Sequence, residues 1–140
     1  MNMINTNNQK FKMKKIIFCL VFFAISSCSQ DFGTKKVYKN LELYFTVSVT
    51  ENEADSLADY LLKEGWGEGN IKTIQLNRNQ NIYEVKIVCK KGIEEDQEYI
   101  ERAKLMAYRI SQAVFQKHEV DIHLCDDYLN TIRVVPMSAY

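Results

Sequence analysis

The chain contains few of the residues, and none of the short motifs, on which enzyme active sites are usually built. Its 140 residues include two histidines and one tryptophan. It has no Gly-x-Ser-x-Gly nucleophile motif and no glycine-rich phosphate loop, and its histidines and cysteines form no His-x-x-x-His or Cys-x-x-Cys pair. We therefore expect a non-catalytic protein that needs no cofactor.

Long hydrophobic runs are also missing. The longest apolar run covers the ten residues from Ile16 to Ile25. Ten residues of helix span about 15 Å, whereas the hydrocarbon core of a bilayer is about 30 Å thick, so the run is too short for a permanent transmembrane helix. Lys14 and Lys15 precede it and small residues follow it. This order is typical of an export signal peptide.

The residues after the apolar run indicate which kind of signal this is. Ile25-Ser26-Ser27-Cys28 resembles the lipobox of bacterial lipoproteins, in which a branched apolar residue and two small residues precede a cysteine. The resemblance covers residues 13–31. It implies that residues 1–27 are a signal peptide removed ahead of Cys28, and that acyl chains on Cys28 hold the protein to a membrane. A plain cleaved signal, with Cys28 as an ordinary thiol, is the alternative.

The resemblance also bears on location. In some bacteria an aspartate directly after the lipoprotein cysteine favours the inner membrane, whereas this chain has Ser29. We therefore expect a cell-envelope protein on the outer membrane rather than the inner membrane, facing the periplasm or the medium. The asparagine-rich stretch before Met13 is unusual for a signal peptide, which favours translation from Met13 over Met1.

Excess positive charge is absent after the signal. The four charged residues before Cys28 are all lysines, which leaves 14 basic and 18 acidic residues in the mature chain. A mildly acidic domain is poorly suited to nucleic acid or to anionic lipid headgroups. We expect no nucleic-acid binding.

Residues 28–39 are predicted to form the lipidated cysteine and a flexible tether, because Ser29 to Lys39 are polar and show no apolar periodicity. A single domain is expected over residues 40–140. It opens with a strand from Leu41 to Val49, in which apolar and mostly polar side chains alternate.

The later patterns predict a helix, a hairpin, a second helix and two short strands. Thr50 and Glu53 fit a capping box at the start of the first helix, and Gly65 fits its C-terminal turn. The predicted ranges are Glu51–Glu64, Ile71–Leu76, Ile82–Cys89, Ile93–Lys117, Val120–Cys125 and Thr131–Val135.

This order of elements resembles the ferredoxin-like architecture. The prediction is an α+β two-layer sandwich, βαββαβ plus a short C-terminal strand, with an antiparallel sheet in the order 4-1-3-2 and two helices on one face. The expected core contains Leu43, Phe45, Val47, Leu57, Leu61, Val85, Ile87, Ile100, Ala107, Ile110, Ile122 and Leu124. Such a fold hosts many functions and implies none of them.

The sheet face without helices, called the open face, is the predicted interaction surface. Its main candidates are Tyr44, Glu84, Lys86 and Val88. Around them we expect Thr46, Ser48, Gln75, Ile82, His123 and Cys125. A mixed sheet face, or the edge offered by the last strand, suits an envelope protein as partner. The competing interpretation is that the face is merely solvated.

A metal site is a second hypothesis. His123 and Cys125 fall on the same strand face, and Asp126 and Asp127 follow at once, which makes these four residues weak candidate ligands. Two successive aspartates are well explained as a turn, which is the favoured interpretation. Cys89 is expected as a buried free thiol on the opposite sheet face from Cys125, so no disulfide is expected.

These patterns predict a lipid-anchored cell-envelope protein that acts as a non-catalytic binding or assembly module. A small metal-binding lipoprotein is the alternative, and an envelope enzyme is the third hypothesis.

Overall fold

The computed structural model describes residues 31–137, which form a six-stranded sheet and two α-helices and confirm the α+β class. The predicted signal peptide, the lipobox and Cys28 lie outside the described residues. The strands and helices are β1 (Thr34–Tyr38), β2 (Leu41–Phe45), α1 (Glu51–Lys63), β3 (Lys72–Asn79), β4 (Ile82–Val88), α2 (Gln97–Ala113), β5 (Val120–Cys125) and β6 (Thr131–Pro136). Neither α-helix within residues 31–137 has the length and apolar character that crossing a bilayer requires.

The strands follow one another across the sheet in chain order. The pairs β1–β2, β3–β4 and β5–β6 are antiparallel, whereas β2–β3 and β4–β5 are parallel. α1 connects β2 to β3, and α2 connects β4 to β5. Both helices cover the same sheet face, because their buried residues share one core with the inward side chains of β2 to β5.

This topology differs from the predicted ferredoxin-like arrangement. The prediction required an antiparallel sheet in the order 4-1-3-2, whereas the observed sheet is mixed, sequential and one strand larger. Each helix connects two parallel strands that are direct neighbours, so no third strand lies between them. Both connections cross the same sheet face and move in the same direction across the sheet, but β2 and β4 run in opposite directions. The two βαβ crossovers therefore have opposite handedness, and one of them is left-handed, which is rare.

Strand β1 occupies residues that were predicted to be tether. Side chains bind this strand to α1: Lys36 Nζ donates to Glu51 Oε1 at 2.8 Å and also to Asp55, and the Tyr38 hydroxyl donates to Asp55. Burial and the bond to Asp55 raise the pKa of Tyr38 to about 12. The tether prediction is therefore wrong for residues 34–38, because these contacts hold a largely polar segment in the sheet.

The predicted capping box at the start of α1 is confirmed. The Thr50 hydroxyl accepts from the Glu53 N–H at 3.3 Å, and Glu53 Oε2 accepts from the Thr50 N–H at 2.8 Å. Glu53 also accepts from the Tyr83 hydroxyl and lies 3.8 Å from Arg78, which joins the cap to the sheet. Burial acts to raise the pKa of Glu53, but the hydrogen bonds from Tyr83 and Thr50 leave that pKa below its usual value.

Replacing Thr50 with alanine is expected to lower the free energy of unfolding by about 1 kcal/mol, because the Glu53 N–H loses its side-chain acceptor. Urea denaturation followed by circular dichroism measures the change. Ser56→Ala removes an exposed hydroxyl farther along α1 and serves as the control, with an expected change within about 0.5 kcal/mol. Equal losses in both variants would contradict the assigned cap.

α2 begins later and ends earlier than predicted. Residues 93–95 form a single turn of 3-10 helix after Gly92, whose φ is +95°. Asp96 then caps α2, and its carboxylate accepts from the N–H groups of Glu98 and Tyr99. After the helix, positive φ values at Gln116 and Lys117 turn the chain toward β5. The helix is therefore shortened at its start by the extended backbone of Asp96 and at its end by the left-handed residues Gln116 and Lys117.

The core lies between the helices and the inward sheet face. Ten of the predicted core residues are buried: Leu43, Leu57, Leu61, Val85, Ile87, Ile100, Ala107, Ile110, Ile122 and Leu124. Phe45 is partly buried against them. Val47 was predicted wrongly, since it is fully exposed. β2 ends at Phe45, and a turn closed by the Val49 N–H on the Thr46 carbonyl at 3.1 Å buries Val49 instead.

Candidate functional site

One row of directly paired residues crosses the open face from edge to edge. We call Lys35, Tyr44, Gln75, Lys86, His123 and Val134 the cross-strand row, one residue from each of the six strands. With neighbouring strands about 4.8 Å apart, the row is about 24 Å long. It places two ammonium groups, a phenol, an amide, an imidazole and an apolar side chain along one line of the surface.

The four residues predicted to form the interaction surface lie on the open face. Tyr44 comes from β2, whereas Glu84, Lys86 and Val88 alternate along β4, and all four are half-buried. They do not touch as one cluster, because β3 separates β2 from β4 and places Gln75 between Tyr44 and Lys86. The candidate surface is therefore wider than the four residues.

Phe32 lies on the open face, a placement that the sequence patterns missed. Its carbonyl accepts from Gln75 Nε2 at 2.8 Å, and its ring meets the Tyr44 ring edge-on with centroids 5.9 Å apart. Lys35 Nζ also lies near the Tyr44 ring, 5.4 Å from its centroid. The Gln75 side chain, bonded to Phe32, is only 6% exposed. The chain before β1 thus enters the domain over β2 and β3 on the open face.

Gly33 allows this entry. Its φ is +87°, and a Cβ atom at this position would lie 2.2 Å from the Phe45 carbonyl oxygen. No other residue type fits so close to the end of β2 with this backbone conformation. A large apolar residue directly before a glycine, in a segment that is mostly polar, was the signal that could have identified Phe32.

The polar groups of the open face are bonded to one another. Lys35 Nζ lies 2.7 Å from Glu42 Oε1, and this contact raises the pKa of Lys35. Asn77 Nδ2 donates to Glu84 Oε2 at 2.8 Å, and the Thr46 hydroxyl donates to Asn77 Oδ1 at 2.7 Å. The face therefore presents interleaved charges of both signs and oriented hydrogen-bonding groups.

His123 lies in the cross-strand row between Lys86 and Val134. Its Nδ1 atom is 3.1 Å from the Thr131 hydroxyl. Burial lowers the pKa of His123 from 6.5, and the carboxylates of Glu84 and Asp121 only partly oppose this effect. The neutral imidazole is therefore the form that the folded protein favours.

This pKa shift predicts a pH dependence of stability. Below pH 6.5 the unfolded chain takes up a proton on His123 before the folded chain does, so the free energy of unfolding should fall as the pH drops below 6.5. The decrease should be weaker in His123→Gln, and the two proteins should differ least in their pH dependence at pH 7 and above. Chemical denaturation at a series of pH values measures this; a parallel dependence in both proteins between pH 7 and 5.5 would contradict it.

The four candidate metal ligands are not brought together. Asp126 closes the turn between β5 and β6, where its Oδ1 accepts from the Asn130 N–H at 2.9 Å. The Cys125 thiol is buried and donates to the His123 carbonyl, while Asp127 is exposed. Within residues 31–137, no three histidine, cysteine, aspartate or glutamate side chains are grouped so that they could hold a metal ion.

Cys89 and Cys125 are free thiols, as predicted. The predicted sheet order 4-1-3-2 would have kept their two strands apart, which is wrong, because β4 and β5 are neighbours with Val88 opposite Cys125. Cys89 is half-buried rather than buried, and its Sγ lies 3.5 Å from the Cys125 carbonyl oxygen. Burial raises the pKa of both thiols, which reduces their reactivity.

Two clefts lie away from the cross-strand row. A groove of about 200 Å³ between the helices is lined by Tyr60, Leu61, Glu64, Trp66, Arg102, Leu105, Met106 and Arg109. Trp66 is partly buried and also packs against the core. A second cleft of about 560 Å³ beside the end of β4 is lined by Cys89, Lys90, Lys91, Glu94, Asp126, Asp127 and Ile132.

The folded domain is similar to a known protein family. A family model described as a family N-terminal domain matches residues 34–135. The match begins at the first residue of β1 and ends one residue before the end of β6, so it includes every strand and both helices. No curated protein and no solved structure matches the chain.

Proposed function

The chain belongs to this family, AF_1994_N, and on that premise we propose that it is a lipid-anchored cell-envelope protein whose domain is a non-catalytic binding or assembly module. The family description names a domain and no activity, so the proposal depends on the residues themselves. The domain supplies the binding surface, and the segment before it supplies the anchor.

The anchor is supported by the sequence around Cys28. The ten-residue apolar run, the lysines before it and the Ile25-Ser26-Ser27-Cys28 motif together resemble a lipoprotein signal. Two or three acyl chains on Cys28 make membrane binding stable, because each buried CH₂ contributes about 0.8 kcal/mol. The outer membrane is favoured over the inner membrane, with Ser29 after the cysteine.

The cross-strand row is the observation that carries the proposed binding role. It lies on the sheet face that neither α1 nor α2 covers, and it offers an aromatic ring, cations and hydrogen-bonding groups over the six described strands. These groups are spread over about 24 Å of a sheet surface, so the row suits an extended partner rather than a small molecule enclosed in a pocket. An envelope protein is the partner that the sequence led us to expect.

Site-specific photocrosslinking tests the binding role. A benzophenone amino acid in place of Tyr44 is expected to give adducts in native membranes, because the open face would be covered by its partner. The same amino acid in place of Tyr108, an exposed tyrosine on α2, is the matched control and should give few adducts. Equal crosslinking at both positions, with the fold intact, would contradict a binding role for the open face.

A further inference from the structure

We infer that the partner of the open face is the bilayer surface to which Cys28 is anchored, with Phe32, Tyr44 and Lys35 at the point of contact. The inference rests on the proposed acylation of Cys28. It names the partner of the same surface and replaces the envelope protein by lipid headgroups.

The length of chain between anchor and fold is the first argument. Phe32 is fixed on the open face by Gln75 and Tyr44. Cys28 lies four residues earlier, and an extended chain spans at most about 3.6 Å per residue, so the acyl chains start within about 14 Å of Phe32. The open face is about 24 Å wide. The distance from Phe32 to the start of the acyl chains is therefore smaller than the width of the open face.

The short reach also limits what fits between the face and the membrane. A folded domain of 100 residues has a radius of gyration of about 13 Å and a diameter of about 30 Å. That diameter is about twice the reach of the anchor. A globular partner on the open face beside Phe32 would thus compete with the bilayer for the same space, whereas headgroups need no additional room.

The side chains at the point of entry suit a membrane interface. The hydroxyl-bearing ring of Tyr44 has the amphipathic character that is enriched at the boundary between headgroups and acyl chains, and Phe32 packs against it. Lys35 and Lys86 alternate with Glu42, Glu84 and Asp121 on the same face. This mixture of charges matches zwitterionic headgroups better than anionic ones.

Fluorescence quenching tests this orientation with the full lipoprotein, purified from membranes and inserted into phosphatidylcholine vesicles that contain a headgroup-nitroxide phospholipid. Trp66 is the only tryptophan of the chain and lines the groove between the helices, on the side opposite the open face. We expect little quenching of Trp66. Tyr44→Trp in a Trp66→Phe background should be quenched several-fold more strongly.

Lysine modification provides a second measurement without any substitution. A water-soluble acetylating reagent should modify Lys35 and Lys86 several-fold more slowly in vesicles than in detergent, whereas Lys63 at the end of α1 should react equally in both. Mass spectrometry of the peptides gives the ratio for each lysine. This readout remains available if either tryptophan substitution impairs folding.

The outcomes separate the inference from the proposed anchor. An acylated protein that floats with the vesicles but shows equal quenching at the two positions, or the same ratio of acetylation in vesicles to acetylation in detergent for Lys86 and Lys63, would overturn the inference and leave the anchor intact. A protein without acyl mass that fails to float would overturn both. Protection of Lys35 and Lys86 from acetylation in native membranes, but not in vesicles that contain only the lipoprotein and lipid, would show that a protein rather than the bilayer covers the open face.

Discussion

Replacing Cys28 with alanine is expected to abolish acylation of the protein and its retention on the membrane by acyl chains, because Cys28 supplies the only sulfur at the predicted cleavage point. The measurement is the incorporation of labelled palmitate, followed by immunoprecipitation. Loss of the label should be complete rather than partial.

Cys89→Ala is the matched control for this change, since it removes a cysteine of the folded domain. It should incorporate label like the wild type. Label retained by Cys28→Ala, or lost in Cys89→Ala, would contradict the assignment of Cys28 as the lipid attachment site.

The second large effect is expected at Leu43, which is 0% exposed in β2 and belongs to the core shared by both helices. Leu43→Ala should lower the free energy of unfolding by about 2 to 5 kcal/mol, because it removes buried methyl groups and leaves a cavity. That is a large part of the roughly 5 to 15 kcal/mol that stabilises a typical domain. Urea denaturation measures it.

Val47→Ala is the control for Leu43→Ala. Val47 has the same period-two phase in the sequence, but it is fully exposed in the turn after β2, so the change should stay within about 0.5 kcal/mol. Similar losses at both positions would mean that β2 continues to Val49, as the alternating pattern predicted, and that the turn is placed wrongly.

Local signals in the sequence were enough to place the individual elements. The capping box at Thr50 and the glycine at position 65 set both ends of α1 within one residue, since each satisfies backbone groups of the helix ends themselves. The hairpin between β3 and β4 was also predicted, but β3 continues to Asn79 rather than ending at Leu76, which leaves only Gln80 and Asn81 in the turn. Polar residues at a strand end do not reveal where pairing stops.

The order of the strands could not be predicted from such signals. The elements βαββαβ are common to the ferredoxin-like fold and to this sheet, and the difference depends on which strands pair after each helix. Strand β1 was missed for a related reason. Its sequence has no apolar alternation, and its place in the sheet depends on the bonds of Lys36 and Tyr38 to α1, which lie far along the chain.

The strand residues of the open face were predicted from the sequence, whereas Phe32 was not. Strand alternation placed Tyr44, Glu84, Lys86, Val88 and His123 correctly, because a period of two is a property of the strand alone. It gave no indication of Phe32, which precedes β1 and reaches the face only because Gly33 lets the chain pass close to Phe45. The most informative contact for the proposed orientation therefore required the tertiary structure.

The measurement that tests the lipid-anchored account most directly is the intact mass of the protein extracted from native membranes with detergent. The predicted result is a chain that begins at Cys28 and carries the added mass of a diacylglyceryl group, with or without a further acyl chain on the new amine. Fragmentation should place that mass on Cys28. A chain that retains residues before Cys28, or one that begins at Cys28 with an unmodified thiol, would contradict the lipid anchor and the membrane orientation that depends on it.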